Sequence, residues 1–120
     1  MMTNRLDTFR KYRTRMNKRI LAEGNKITKR LLALDTHVYD EGALSAKTKE
    51  MLGLVASTVL RCDDCISYHV ARCVELGLTD EEFYELFNVA LIVGGSIIIP
   101  HFRRALEFLE ECRRSELPLL

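Results

Sequence analysis

Residues 61–77, Arg-Cys-Asp-Asp-Cys-Ile-Ser-Tyr-His-Val-Ala-Arg-Cys-Val-Glu-Leu-Gly, gather three of the four cysteines and one of the three histidines of a 120-residue chain. Cys62, Cys65, His69 and Cys73 follow one another at intervals of three, four and four, so on a helix all of them lie along one face. That set suits a tetrahedral metal, a redox thiol pair with a base, or a buried helix that contains sulfur. The metal reading meets a geometric obstacle. A helix carrying these residues rises about 16 Å from first to last, whereas zinc ligands converge to within about 2.3 Å of one point. A zinc site would therefore need ligands from elsewhere, such as Cys112, His37 or His101, and the sequence holds no second Cys-x-x-Cys pair to supply them.

The redox reading asks for two sulfurs within reach of each other, one of them ionised, and a base. With Cys62 in non-helical geometry at a helix start, Cys62 and Cys65 can close to disulfide distance. Free amide groups and the helix dipole at that end favour a thiolate, and His69, one turn beyond Cys65, is placed to take its proton. Asp63 and Asp64 oppose this, because a neighbouring carboxylate disfavours a second negative charge. Taken singly, each of these residues reads more simply as a core or surface side chain. Taken together in a chain with so few cysteines and histidines, they point to function. Cys73 and Cys112 read as small apolar core sulfurs, and His101 as a polar residue in the first turn of a helix.

The elements that must position these residues are helical throughout. A basic first helix over about 3–23 carries an apolar stripe of Leu6, Phe9, Met16 and Ile20. A Gly-Asn break follows, and Ile27, Leu31, Leu34 and Val38 then recur at helical spacing. Ser45 is placed to cap a third helix through about Leu60, apolar on nearly every side from Met51 onward. The fourth helix starts at the cysteine pair and stops at Gly77, and Thr79-x-x-Glu82 is a capping box that opens a fifth. Val89–Ile99 is apolar but interrupted by Gly94, Gly95 and Ser96. No other segment alternates with period two, so a kinked or broken helix fits there better than a strand. Pro100 suits the start of a last helix with the stripe Phe102, Ala105, Leu106 and Leu109, and "SELPLL" reads as a loose tail. The expectation is a single all-α domain over 1–120 with about six helices.

Composition restricts the function classes. The chain is 48% hydrophobic with a formal charge of +1, and ten of its Lys and Arg residues fall within the first thirty positions, leaving the remainder acidic. That basic segment reads as a solvated helix face, and near-neutral overall charge argues against nucleic-acid binding. The amino-terminal stretch has no apolar leader segment and the longest apolar run is shorter than a membrane helix, so a cytoplasmic location without a membrane span is expected. In a reducing cytosol a close cysteine pair is a catalytic or metal-binding feature. Gly94 and Gly95 lack the pattern and preceding strand of a dinucleotide loop. Helices apolar around most of their circumference, 51–60 and 86–99, exceed what one copy can bury, which implies a homo-oligomer.

Eleven residues separate Glu50 from Cys62, giving Glu50-x11-Cys62-x-x-Cys65-x-x-x-His69, with the Gly-Gly helix beyond. This arrangement resembles the carboxymuconolactone decarboxylase-like, alkylhydroperoxidase D-like family, over roughly two thirds of the chain. The resemblance implies an all-helical fold that assembles into trimers or hexamers, and a thiol-dependent peroxidase or disulfide reductase working without metal or flavin. It makes Cys65 the thiol activated by His69, Cys62 the resolving thiol, and Glu50 part of a proton relay. Electrons would return from an external dithiol such as a lipoyl group, and the substrate would be a small peroxide or disulfide. Two departures stand out: Asp64 sits where the better-known peroxidase has a histidine, and the basic first helix lies outside the matched part. The lactone decarboxylases sharing the family name lack the cysteine pair, so its presence points away from decarboxylation. A second reading of the same residues is a non-catalytic or redox-sensing oligomeric binding protein of this fold, with the basic arm contacting a partner.

Overall fold

Side-chain caps set most of the helix starts in the computed structural model, which describes residues 4–120. Asn4 Oδ1 accepts the Asp7 amide at 2.8 Å, opening α1 (Arg5–Glu23), and Asn25 Oδ1 accepts the Thr28 amide at 3.0 Å, opening α2 (Lys26–Val38). Ser45 caps α3 (Ala46–Val59), and Thr79 with Glu82 forms a complete capping box on α5 (Asp80–Gly94). Each supplies an acceptor for amides that have no partner inside the helix. Between them, α4 (Asp63–Glu75) is capped by the sulfur of Cys62. Gly77, with φ of 86°, ends α4 in the left-handed region that glycine adopts at little cost. Gly95 does the same after α5, with φ of 83°. A single 3₁₀ turn, Ser96–Ile98, then leads into α6 (Ile99–Arg114), with Pro100 in its first turn. The three consecutive isoleucines thus bridge two helices, and six α-helices without a strand make up the described residues.

The core is built by α3, α4, α5 and α6. Leu54, Ile66, Val70, Phe83, Phe87 and Phe108 are buried at its centre. Helix α1 docks on α6 through Leu6 and through an edge-on contact of Phe9 with Phe108, ring centres 5.6 Å apart. Buried Glu111 on α6 fixes that junction, because its two carboxylate oxygens accept the amides of Arg5 at 3.2 Å and Leu6 at 2.9 Å. Those amides are the unpaired donors of a helix N-terminus, where a negative charge is favoured.

One sequence expectation is corrected here. The tail is not loose: Leu119 is buried against the core, and Arg10 donates to the Pro118 carbonyl at 2.6 Å. The stripe of α2 does not pack within the chain. Ile27, Leu31, Leu34 and Val38 are 68%, 61%, 60% and 55% exposed, and no residue of α2 is buried. Apolar Val89, Ile92, Val93 and Ile97 around the end of α5 are exposed as well. No helix of the described residues is long and apolar enough to cross a membrane.

Candidate functional site

The site is assembled where α3 hands over to α4. Leu60 closes α3, Arg61 turns the chain in the left-handed region with φ of 62°, and Cys62 is extended with φ of −100° and ψ of 98°. That turn brings Cys62 to the N-cap of α4, its Cα 5.3 Å from that of Cys65, and the two sulfurs are joined as a disulfide. Cys62 Sγ also accepts the Cys65 amide at 3.3 Å, so this sulfur occupies the place where a hydroxyl or carboxylate usually caps a helix. Cys65 is exposed and Cys62 half-buried.

His69 lies one turn further along α4 and is buried. Its Nδ1 is 2.7 Å from Oε2 of Glu50, a residue of α3 that is only 1% exposed. A carboxylate there accepts from Nδ1–H, which leaves Nε2 as the nitrogen able to receive a proton. The imidazole reaches this position because of Gly53, one turn beyond Glu50. A Cβ at Gly53 would stand 2.6 Å from His69 Cε1 and 2.8 Å from Nε2, so any larger residue there drives the ring away. Tyr68 meets the ring edge-on with centroids 5.3 Å apart, and Tyr39 from the loop after α2 packs at 5.2 Å with its hydroxyl 3.5 Å from Nε2. Burial first, and then the charge of Glu50, push both tyrosine pKa values up, so the hydroxyls stay protonated at neutral pH. Arg13 lies over the face of Tyr68 at 4.6 Å.

Glu50 Oε1 has no hydrogen-bond partner among the described residues, and Arg72 Nε, 3.6 Å away, compensates it only as a charge. Glu50 borders a cavity of about 310 Å³ shared with Tyr39, Tyr68, Arg13 and Arg72. Cys65 and His69 open together into a second cavity of about 310 Å³, walled by Phe9, Tyr12 and Met16 of α1. The sulfur and the base therefore face one accessible space, and the base is held from behind by a buried acid.

The structure brings together all four residues singled out from the motif, Glu50, Cys62, Cys65 and His69. It separates the rest of the metal-like set. Cys73 is fully buried in the core, and burial, with Glu50 next, pushes its thiol up to about 12. Cys112 is likewise buried, and its thiol is pushed up to about 12 by burial and then by Glu111. His37 pairs with Asp40 at the surface, and among the described residues no cluster of three metal-ligating side chains forms. His101 is more than a first-turn polar residue: its Nδ1 lies 2.7 Å from Asp63 Oδ1. The glycine contact, the Tyr39 packing and the His101 pairing were missed because each joins separate elements, and Tyr68, beside His69 on α4, was not singled out. Only Gly53 left a signal, by sharing a helix face with Glu50.

A profile of the carboxymuconolactone decarboxylase family matches residues 25–111. The chain belongs to that family. Among solved members, a carboxymuconolactone decarboxylase family protein from Thermotoga maritima, for which a part in antioxidative response has been suggested, is 56% identical with a TM-score of 0.84. The alignment covers 88% of this chain and 90% of that one. A carboxymuconolactone decarboxylase family protein from Legionella pneumophila, in its apo form, is 26% identical over 93% of this chain and all of its own, with a TM-score of 0.85. In Paracoccus denitrificans, "Uncharacterized protein 4 in cox locus" is 32% identical over 73% of this chain and 79% of its own length. Helix α1, which walls the cavity at Cys65, lies outside the residues that the family profile covers.

Gly53→Ala should push the His69 ring off Glu50 and cost about 1–3 kcal/mol, as overpacking of a tight interior does. Urea unfolding and the Nδ1 proton resonance of His69 check this. Gly42→Ala, where the added methyl would meet only the end of Lys49 at 3.5 Å, should leave both unchanged.

Proposed function

We propose that this carboxymuconolactone decarboxylase family member is a thiol-dependent peroxidase or disulfide reductase. The observation that carries the reading is the buried Glu50–His69 pair, 2.7 Å apart, behind an exposed Cys65 that is bonded to Cys62. Antioxidative function suggested for the Thermotoga maritima relative supports it. In the peroxidase cycle His69 Nε2 takes the Cys65 proton, and the thiolate attacks the outer oxygen of a hydroperoxide. The O–O bond breaks, the alkoxide collects the proton from His69 and leaves as an alcohol, and Cys65 becomes a sulfenic acid. Cys62 then attacks the Cys65 sulfur, forming the disulfide and expelling water. An external dithiol, a lipoyl-type compound among the candidates, returns the two electrons by thiol-disulfide exchange and is itself oxidised.

Glu50 fixes the tautomer of His69 and stabilises the imidazolium that forms when the proton arrives. No metal or flavin takes part in this scheme. Peroxide consumption with dithiothreitol or dihydrolipoamide should fall at least about 100-fold in Cys65→Ser and in Cys62→Ser, and about 100-fold in His69→Gln, the size of a lost general base. A wild-type protein inert toward peroxides and disulfides with several dithiols would instead favour a non-catalytic or redox-sensing role.

We infer further that copies of the chain assemble through the exposed stripe of α2 and the end of α5, into trimers or hexamers as the resemblance implies. Ten cationic residues in the first thirty positions, against an acidic remainder, give a second copy complementary charge. Sedimentation should report an oligomer in wild type and a smaller species for Leu31→Asp combined with Ile92→Asp. A monomeric wild type would contradict this.

A further inference from the structure

Helix α4 opens with two carboxylates beside the redox sulfurs, an arrangement that by itself raises a thiol pKa. The structure treats the two acids differently. Asp64 lines the cavity at Cys65, whereas Asp63, the residue next to Cys62, is gripped from α6. Asp63 Oδ1 lies 2.7 Å from His101 Nδ1, and Asp63 Oδ2 accepts from Arg104 Nε at 3.0 Å. Arg104 Nη2 approaches the same His101 nitrogen at 3.1 Å, so the three side chains form one closed cluster. Partial burial opposes ionisation of Asp63, but the hydrogen bonds and charges of His101 and Arg104 outweigh it and hold the carboxyl below its usual range. Asp63 is thus a firm anion whose field is cancelled locally by α6, 38 and 41 residues away along the chain.

The carboxylate that α6 neutralises belongs to the residue directly after Cys62. The Cys62 sulfur caps α4, where the helix dipole favours negative charge, and the adjoining Asp63 opposes that charge unless it is neutralised. An external thiolate meets the exposed Cys65 first, and attack there breaks the disulfide with Cys62 as the leaving thiolate. The second thiol of the external dithiol then displaces Cys65 from the mixed disulfide. Two electrons pass to the pair, the external dithiol becomes a disulfide, and its two protons go to Cys62 and Cys65 or to water. A stabilised Cys62 thiolate both leaves faster and favours the reduced form.

We propose that Asp63, His101 and Arg104 form a charge clamp that sets the reduction potential of the Cys62–Cys65 pair. Within it, His101 and Arg104 are positioning residues that cancel the repulsion of Asp63 on the Cys62 thiolate. The proposal deepens the redox reading of the site and rests on it. Its test needs no peroxide: the protein is equilibrated in dithiothreitol redox buffers at pH 7, and reduced thiols are counted by alkylation and mass shift. His101→Gln with Arg104→Gln should make the pair more reducing, with the equilibrium constant for its reduction falling about tenfold, or about 30 mV for this two-electron couple. Asp63→Asn alone should shift it the opposite way, and Asp63→Asn added to the double variant should restore it to within about threefold of wild type, a margin of about 15 mV. Arg104→Lys, which keeps the charge, should stay near wild type.

If the cluster only fastened α4 to α6, Asp63→Asn and the double variant would shift together or not at all, and the triple variant would not recover. That result overturns the proposal. The opposite sign expected of Asp63→Asn keeps the test decisive even if the double variant fails to fold. Peroxide turnover with an unmoved potential sinks only the clamp, and a moved potential without any turnover sinks only the peroxidase reading.

Discussion

A carboxylate and an imidazole, 2.7 Å apart and both buried, are the constraint around which this molecule is arranged. Taking such groups out of water costs several kcal/mol each unless they are paired with good geometry, and removing one partner costs about 3–5 kcal/mol. The chain meets that demand with a glycine on α3, which lets the ring of His69 lie against the helix that carries Glu50. Arg72 answers the second oxygen of Glu50 from 3.6 Å, and two tyrosines close over the ring. With the ring fixed by Glu50, His69 borders the same cavity as Cys65, one turn away on α4.

The second demand is a helix start that serves chemistry as well as stability. Asn, Ser and Thr cap α1, α2, α3 and α5, but α4 is capped by Cys62, whose sulfur is a poorer acceptor. Stability given up at that cap places a sulfur in the field of the α4 amides and within bonding reach of Cys65. The neighbouring Asp63 is reconciled with this by His101 and Arg104 from α6. The same α6 anchors α1 through Glu111, and α1 in turn walls the cavity at Cys65. Helix α6 thereby supports the site from two directions while contributing no side chain to the cavity itself.

Much of this was legible in the sequence because it is local. Asn25, Ser45, Thr79 with Glu82, and Gly77 are signals read within a few residues, and they place the helix ends. The motif spacing of Glu50, Cys62, Cys65 and His69 names the residues that meet at the site. What was not legible depends on contacts between distant segments. Nothing near His101 indicates that it will pair with Asp63, 38 residues earlier, and nothing in "SELPLL" shows that Leu119 will find a vacancy in the core. The stripe of α2 was read correctly as amphipathic, but periodicity cannot say whether the partner of an apolar face lies in the same chain.

The account turns on Cys65 being held as a thiolate by His69 with Glu50 behind it. Titration of the reduced protein, following thiolate absorbance or alkylation rate at Cys65, tests this most directly. A pKa at least about one unit below the ordinary cysteine value of about 8.5, and returning to it in His69→Gln, is the result predicted. A Cys65 that titrates like a free cysteine in both proteins would contradict it.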